Sequence, residues 1–261
     1  DQNEDKLVYR EDDNTFYTSL SKSRDGSVIM VHHSSTTKSG VSILDANAPM
    51  GNFTPFLPIE DNHEYAVEKL GDDYYIYTNW NATNFRIMKV SADKTSDKKA
   101  WTDVIVHRDD VYLQDLTAFT DKLVIKEKEN GETRLRVLTL SSEESITLSF
   151  DDPVFSAHIA SNPEVKSDYV RIAYSSMTTP SSVYDFNLKT GERKLLKQDE
   201  VLGGFSSLNY KSERIFIEAR DGKKIPVSIV YRKDMFEKDG SNPLFQYAYG
   251  SYGSTIEPSF S

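Results

Sequence analysis

Apolar residues in this chain gather in short runs, alternating with polar ones or contiguous, and each run stops at a cluster of Gly, Asp, Asn or Ser. Spacing at three and four residues, the mark of an amphipathic helix, is almost missing, so the pattern predicts strands. The strands recur. The most apolar runs are SVIMVHHSS from Ser27, YYIYTNW from Tyr74, LVIKEKE from Leu123 and VRIAYSS from Val170, and they start 47, 49 and 47 residues apart. A weaker run precedes each, at 16–22, 65–71, 112–119 and 155–161. Two more follow each: VSILDA, FRIMKVS, RLRVLTL and VYDFNL in third place, then 53–58, 101–107, 144–150 and 193–198 in fourth. Four antiparallel strands at this period are what a blade of a β-propeller requires.

Turn chemistry supports the division. Asp25-Gly26, Gly71-Asp72-Asp73 and Asn130-Gly131 fall at strand junctions, and Lys189-Thr190-Gly191-Glu192 joins the third and fourth runs of the last unit. Glycine supplies the positive φ a tight hairpin needs. The fold expected is all-β: a partial β-propeller of about four four-stranded blades (12–60, 61–108, 109–152 and 153–200), within a propeller portion spanning 1–205. Residues 6–11, KLVYRE, read as the last strand of an earlier blade. Stacked blades bury one another's faces, so an array of four leaves its terminal faces open and reads as an excerpt of a larger propeller.

The pattern breaks after Gln198. DEVLGGFSSLNY (199–210) is a linker with a Gly203-Gly204 hinge, and 212–233 reads as a hairpin turning at Asp221-Gly222. A loop (233–243) leads to LFQYAY, a short apolar run compatible with a buried strand. Residues 206–261 are expected to open a second domain.

Composition narrows the function. The formal net charge of −10 argues against a nucleic-acid partner, which needs a basic stripe. There is no cysteine, which removes thiolate metal sites, disulfides and cysteine nucleophiles, and fits a reducing compartment. The polar start DQNEDKL and the lack of any apolar run near 18 residues predict neither signal peptide nor membrane span.

A propeller that runs through a linker into RDGKKIPVSIVY and NPLFQYAYGSYG resembles the prolyl oligopeptidase family of serine peptidases, and within it the oligopeptidase B branch. Further matching segments are DDNTFYTSLSKS (12–23), HEYAVE (63–68), FDDP (150–153), 174–198 and SERIFIEARDG (212–222). The resemblance implies a seven-bladed propeller over an α/β-hydrolase domain, of which this chain carries about four blades and the opening hydrolase strands. It implies hydrolysis of short peptides after Lys or Arg, in the cytoplasm, with the propeller gating a buried site. It also implies a role for the Tyr/Gly loop. In α/β-hydrolases a loop after an early strand donates to the oxyanion of the tetrahedral intermediate; in this family the donor is a tyrosine hydroxyl, and the matching residue here is Tyr249. A phenol suits the task, being a neutral single donor at pH 7. Gly250 and Gly253 are expected to let the backbone turn beside it. The chain departs from the family's pattern at Ala248, where glycine is usual.

The triad is not in the sequence. There is no Gly-x-Ser-x-Gly elbow, and His32, His33, His63, His107 and His158 all fall in propeller repeats. By itself the chain is expected to be inactive, and to self-associate through an open blade face and an unpartnered LFQYAY. Neither cofactor nor metal is expected. His32 and His33, adjacent on a strand, point to opposite faces and cannot chelate together. His63-Glu64 lacks further ligands, and Asp109-Asp110 and Asp151-Asp152 read as turns between blades rather than a calcium loop. Trp80 and Trp101 read as blade packing. Two other readings of the residues stay open: a non-catalytic propeller module that binds a partner, and a propeller glycosidase or lyase. The second needs a carboxylate pair that spacing cannot reveal.

Overall fold

The computed structural model describes residues 2–251 and 254–261. Alternation produces four antiparallel sheets of four strands each, every strand hydrogen-bonded to its neighbour in sequence. The first holds β1 (Tyr17–Lys22), β2 (Val28–Ser34), β3 (Ser39–Asp45) and β4 (Thr54–Pro55). The second holds β5 (Tyr65–Leu70), β6 (Asp73–Thr78), β7 (Arg86–Ser91) and β8 (Thr102–Ile105). The third holds β9 (Val111–Phe119), β10 (Lys122–Glu129), β11 (Glu132–Thr139) and β12 (Ser145–Leu148). The fourth holds β13 (Phe155–Ile159), β14 (Tyr169–Ser176), β15 (Ser182–Asn187) and β16 (Arg193–Gln198). These sheets form the partial β-propeller expected as the fold class. A two-stranded hairpin, β17 (Tyr210–Glu218) and β18 (Lys224–Arg232), follows.

Turns fall where the sequence put them. Asn130 and Gly131 both take positive φ (51° and 76°), the two-residue geometry whose twist matches the flanking strands β10 and β11. Gly131 has a second constraint: a Cβ there would lie 2.7 Å from Pro226 Cγ on β18. The Asp25 side chain accepts from the Ser23 and Ser27 hydroxyls, at 2.6 and 2.7 Å, and from the Ser27 amide, closing the β1–β2 turn.

Two expected strands are absent. Residues 6–11 form no ladder, and Leu7 and Val8 are exposed. LFQYAY also forms none; Phe245 is 88% exposed. A strand is stable only against a partner, and among the described residues neither segment has one. The fourth run of the first blade shrinks to Thr54–Pro55, because Pro55 and Pro58 lack the donors a ladder uses.

The chain divides into two compact units. One comprises residues up to Ile125 with Thr139–Ser142 and Pro163–Ser167; the other comprises Lys126–Leu138, Glu143–Asn162 and residues from Asp168 onward, so the division falls inside β10. In the first unit the inward faces of the first two sheets form a continuous core. Phe56 is fully buried there, edge-on to Tyr74 at 5.0 Å and near Tyr65 and Trp101. Trp80 packs edge-on against Trp101, as expected of blade packing. In the second unit Phe150 stacks on Tyr174 at 4.6 Å and contacts Phe155 and Phe186. Rings of this size bury the most area per residue.

Candidate functional site

Everything on the chain that bears on the expected chemistry downstream of the blades lies in the second unit. β17 and β18 pair over their whole length, from Tyr210 opposite Arg232 to Glu218 opposite Lys224. Glu213 holds the end of this hairpin: it accepts from the Tyr231 hydroxyl and from Lys211 at 2.9 Å, contacts that drop its pKa to about 2. Tyr231 stacks on Phe236 at 4.1 Å, folding the next loop back. Asn242 closes that loop, donating to the Met235 carbonyl (3.0 Å) and accepting from the Glu237 amide (2.9 Å).

The chain then runs extended to Tyr249, which is 55% exposed and whose hydroxyl has no hydrogen-bond partner among the described residues. A hydroxyl in that state is available to donate to an oxygen brought to it. Gly250 is not in the left-handed region, and a Cβ there would meet nothing within 4 Å, so no steric demand for glycine is visible at that position. Gly253 lies outside the described residues. After it the chain returns to the blades: Thr255 and Glu257 meet Lys128 on β10, Pro258 is buried, and the Phe260 amide donates to Ser175 Oγ at 2.9 Å.

The histidines sit where the sequence placed them, in the blades. His33 is buried and His32 half-buried, on opposite faces of β2. Ser21 and His32 are 2.6 Å apart across β1–β2, and burial, with the neighbouring His33, lowers the His32 pKa. His33 has a triad-like neighbourhood that sequence reading missed: Ser42 Oγ lies 3.3 Å from Nε2 and Glu11 Oε2 lies 3.0 Å from Nδ1. The arrangement cannot work as a nucleophile and base. Ser42 and His33 are both buried, Tyr9 competes for the same nitrogen at 3.3 Å, and Nδ1 makes no aligned hydrogen bond. It is a buried polar cluster of the first sheet, not a reactive site. His63 is likewise buried, on Thr78 (2.9 Å), with Glu60 and Lys98 on its other side. Burial and then the Lys98 charge lower its pKa, against the pull of Glu60. No group of three metal-ligating side chains occurs among the described residues, and no helix among them is long and apolar enough to cross a membrane.

Asp152, expected to be only a turn residue, is the centre of a polar node. It accepts from Tyr174 (2.5 Å), Thr179 (2.7 Å) and Thr178 (3.1 Å). Burial works to raise its pKa, yet these donors hold it below the ordinary aspartate value. Asp152 lines a cavity of about 410 Å³, and its partners Thr178 and Thr179 also line one of about 520 Å³; Tyr249 lines neither. No sequence signal marks this node, because its donors lie 22 to 27 residues away and are assembled by the β13–β14 pairing.

Four sheets of four strands in sequence order define a partial β-propeller, which a hairpin and a tyrosine-bearing loop follow. The prolyl oligopeptidase N-terminal β-propeller domain matches residues 1–199, and the chain belongs to that family. Over 260 residues it is 42% identical to dipeptidyl aminopeptidase BI of Pseudoxanthomonas mexicana, covering 99% of this chain and 35% of that protein. It is 33% identical to protease 2 of Moraxella lacunata, covering 100% of this chain and 37% of the relative. Among solved structures, oligopeptidase B from Trypanosoma brucei with covalently bound antipain, in its closed form, superposes with a TM-score of 0.89 at 32% identity, covering 100% of this chain and 38% of the other. The chain thus spans little more than a third of the length of these relatives.

Proposed function

We propose that this chain is the blade-bearing and oxyanion-loop part of a cytoplasmic serine oligopeptidase that cleaves short peptides after Lys or Arg. The observation that carries the reading is the unbroken match to relatives named as peptidases. It runs over 260 residues, through the blades and on into the loop that presents the Tyr249 hydroxyl. The propeller portion ends near residue 205, just after β16 and the end of the family match at 199; residues 206–261 begin the hydrolase domain.

In this reading a serine supplied by the part of the relatives that this chain does not cover attacks the scissile carbonyl, and a histidine takes the serine proton and returns it to the leaving amine. Tyr249 donates one hydrogen bond to the oxygen as it gains charge, with Gly253 shaping the turn. The donor works by being stronger toward the tetrahedral intermediate than toward the ground state. The blades admit peptides and exclude folded chains. The net charge of −10 fits basic peptides as substrates. Without a nucleophile elbow, the chain alone does not turn over substrate.

A second reading is favoured by the 42% identity to a dipeptidyl aminopeptidase: release of dipeptides from a free amino terminus. One panel separates the two. The full-length protein is assayed on chromogenic peptides ending in Arg, Lys or Pro, each with a free or a blocked amino terminus, beside residues 1–261 alone. The first reading expects turnover of blocked Arg and Lys peptides and none by the chain alone. Turnover of free-amine dipeptides only supports the second, and no peptide turnover at all by the full-length protein sinks both.

A further inference from the structure

The return of the chain after Tyr249 has a built anchor. Lys128, on β10, is only 12% exposed; its ammonium is paired with Glu257 and donates to Thr255 Oγ1 at 2.9 Å. Thr255 in turn donates to Glu257 Oε1 at 2.6 Å, so three side chains close on one another. Burial works to raise the Glu257 pKa, but the Lys128 hydrogen bond, Thr255 and the charges of Lys128 and Lys126 pull it down. Three residues further on, the Phe260 amide is held by Ser175 Oγ on β14 and its ring lies edge-on to Phe205 at 4.9 Å. Upstream, Asn242 fixes the other end of the loop. Tyr249 therefore sits seven residues after one clamp and six before the other. Six residues span at most about 20 Å when fully extended, so moving the second clamp moves the volume the phenol can reach.

We propose that Lys128 and Glu257 are positioning residues: a tether from the third blade to the segment after Tyr249 that sets where its hydroxyl stands. This rests on the oxyanion reading of Tyr249. It makes the blade a determinant of the chemical step as well as of access. The pair does not touch substrate; it acts through the loop, where a displacement of about 1 Å is enough to cost up to a hundredfold in rate.

The test uses the full-length peptidase with Lys128→Met, Glu257→Gln and the swap Lys128→Glu with Glu257→Lys, beside Tyr249→Phe and Lys128→Met combined with Tyr249→Phe. Each single tether variant is expected to lower kcat about tenfold with KM held within about twofold. The swap is expected to recover most of that loss, and hydrogen exchange is expected to quicken in peptides covering 254–261. Because the tether acts through the phenol, the double variant should be no slower than Tyr249→Phe. Unchanged kcat in the tether variants, or equal losses with no recovery in the swap, overturns the tether while a kcat loss in Tyr249→Phe leaves the oxyanion reading standing. Full activity in Tyr249→Phe overturns that reading and the tether's catalytic role together.

Discussion

Replacing Asp152 by alanine strikes a charged group that two buried donors share. Tyr174 and Thr178 are both buried, and each aims its hydroxyl at the Asp152 carboxylate, as does Thr179. Hydrogen bonds to an ionised acceptor contribute roughly 1.5–3 kcal/mol each, and a buried donor left without a partner costs about 1–3 kcal/mol. The two buried hydroxyls are the ones that water cannot readily re-satisfy, so Asp152→Ala is expected to destabilise the second unit by roughly 3–5 kcal/mol. Asp152→Asn keeps one acceptor oxygen and is expected to lose roughly half of that. The pH dependence has a definite sign. The folded-state pKa lies below the unfolded one, so the stabilisation is full above about pH 4 and fades as pH falls through the depressed folded value. Wild type and Asp152→Asn should therefore converge in acid. The assay is urea unfolding of the chain by circular dichroism, with hydrogen exchange read across β13–β15. Asp151→Ala is the control: its partner is Arg193, its side chain is 90% exposed, and surface pairs contribute about 0–1 kcal/mol. If Asp152→Ala unfolds at the same urea concentration as Asp151→Ala, the node is not structural and the reasoning fails.

Other consequences are as concrete. Phe56→Ala removes a fully buried ring from among Tyr65, Tyr74 and Trp101, and should lower stability by about 3–5 kcal/mol; tryptophan fluorescence reports it, because Trp80 and Trp101 flank the same core. Gly131→Ala forces a side chain into a left-handed turn with its Cβ 2.7 Å from Pro226 Cγ, and an exchange-rate increase along β17 and β18 with a loss of about 1–3 kcal/mol is expected. Burial raises the Glu68 carboxyl to about 7, against the pull of Arg24 and helped by Asp115 and Asp25. Its raised folded pKa makes stability fall between about pH 4.5 and 7, so Glu68→Gln should flatten the stability profile there; an unchanged slope in thermal melts would count against the burial argument.

The blades were legible because their signals are local. Alternation marks most strands, and glycines such as Gly26, Gly71, Gly131 and Gly191 mark several of their turns, without reference to anything distant. His32 and His33 separate to opposite faces for the same reason. The departures share a different cause. KLVYRE and LFQYAY have strand-like sequences, but pairing depends on a neighbour that no local pattern supplies. The Asp152 node and the Lys128–Glu257 pair were invisible because their members are brought together by sheet pairing and by the return of the chain, 129 residues apart in the second case. The Ser42–His33–Glu11 cluster shows the converse: a triad-like set of distances arises in a core with no access to substrate. Tyr249 was found by family resemblance to a motif, and its exposed hydroxyl is what the structure adds.

The central claim, that this chain brings the oxyanion donor of a serine peptidase, is tested most directly by single-turnover hydrolysis of a blocked Arg peptide by the full-length protein and its Tyr249→Phe variant. Loss of one such donor removes about 2.7–4 kcal/mol of transition-state stabilisation. The account predicts a fall in the acylation rate of roughly 100- to 1000-fold with substrate binding nearly unchanged. An acylation rate within about threefold of wild type would contradict it.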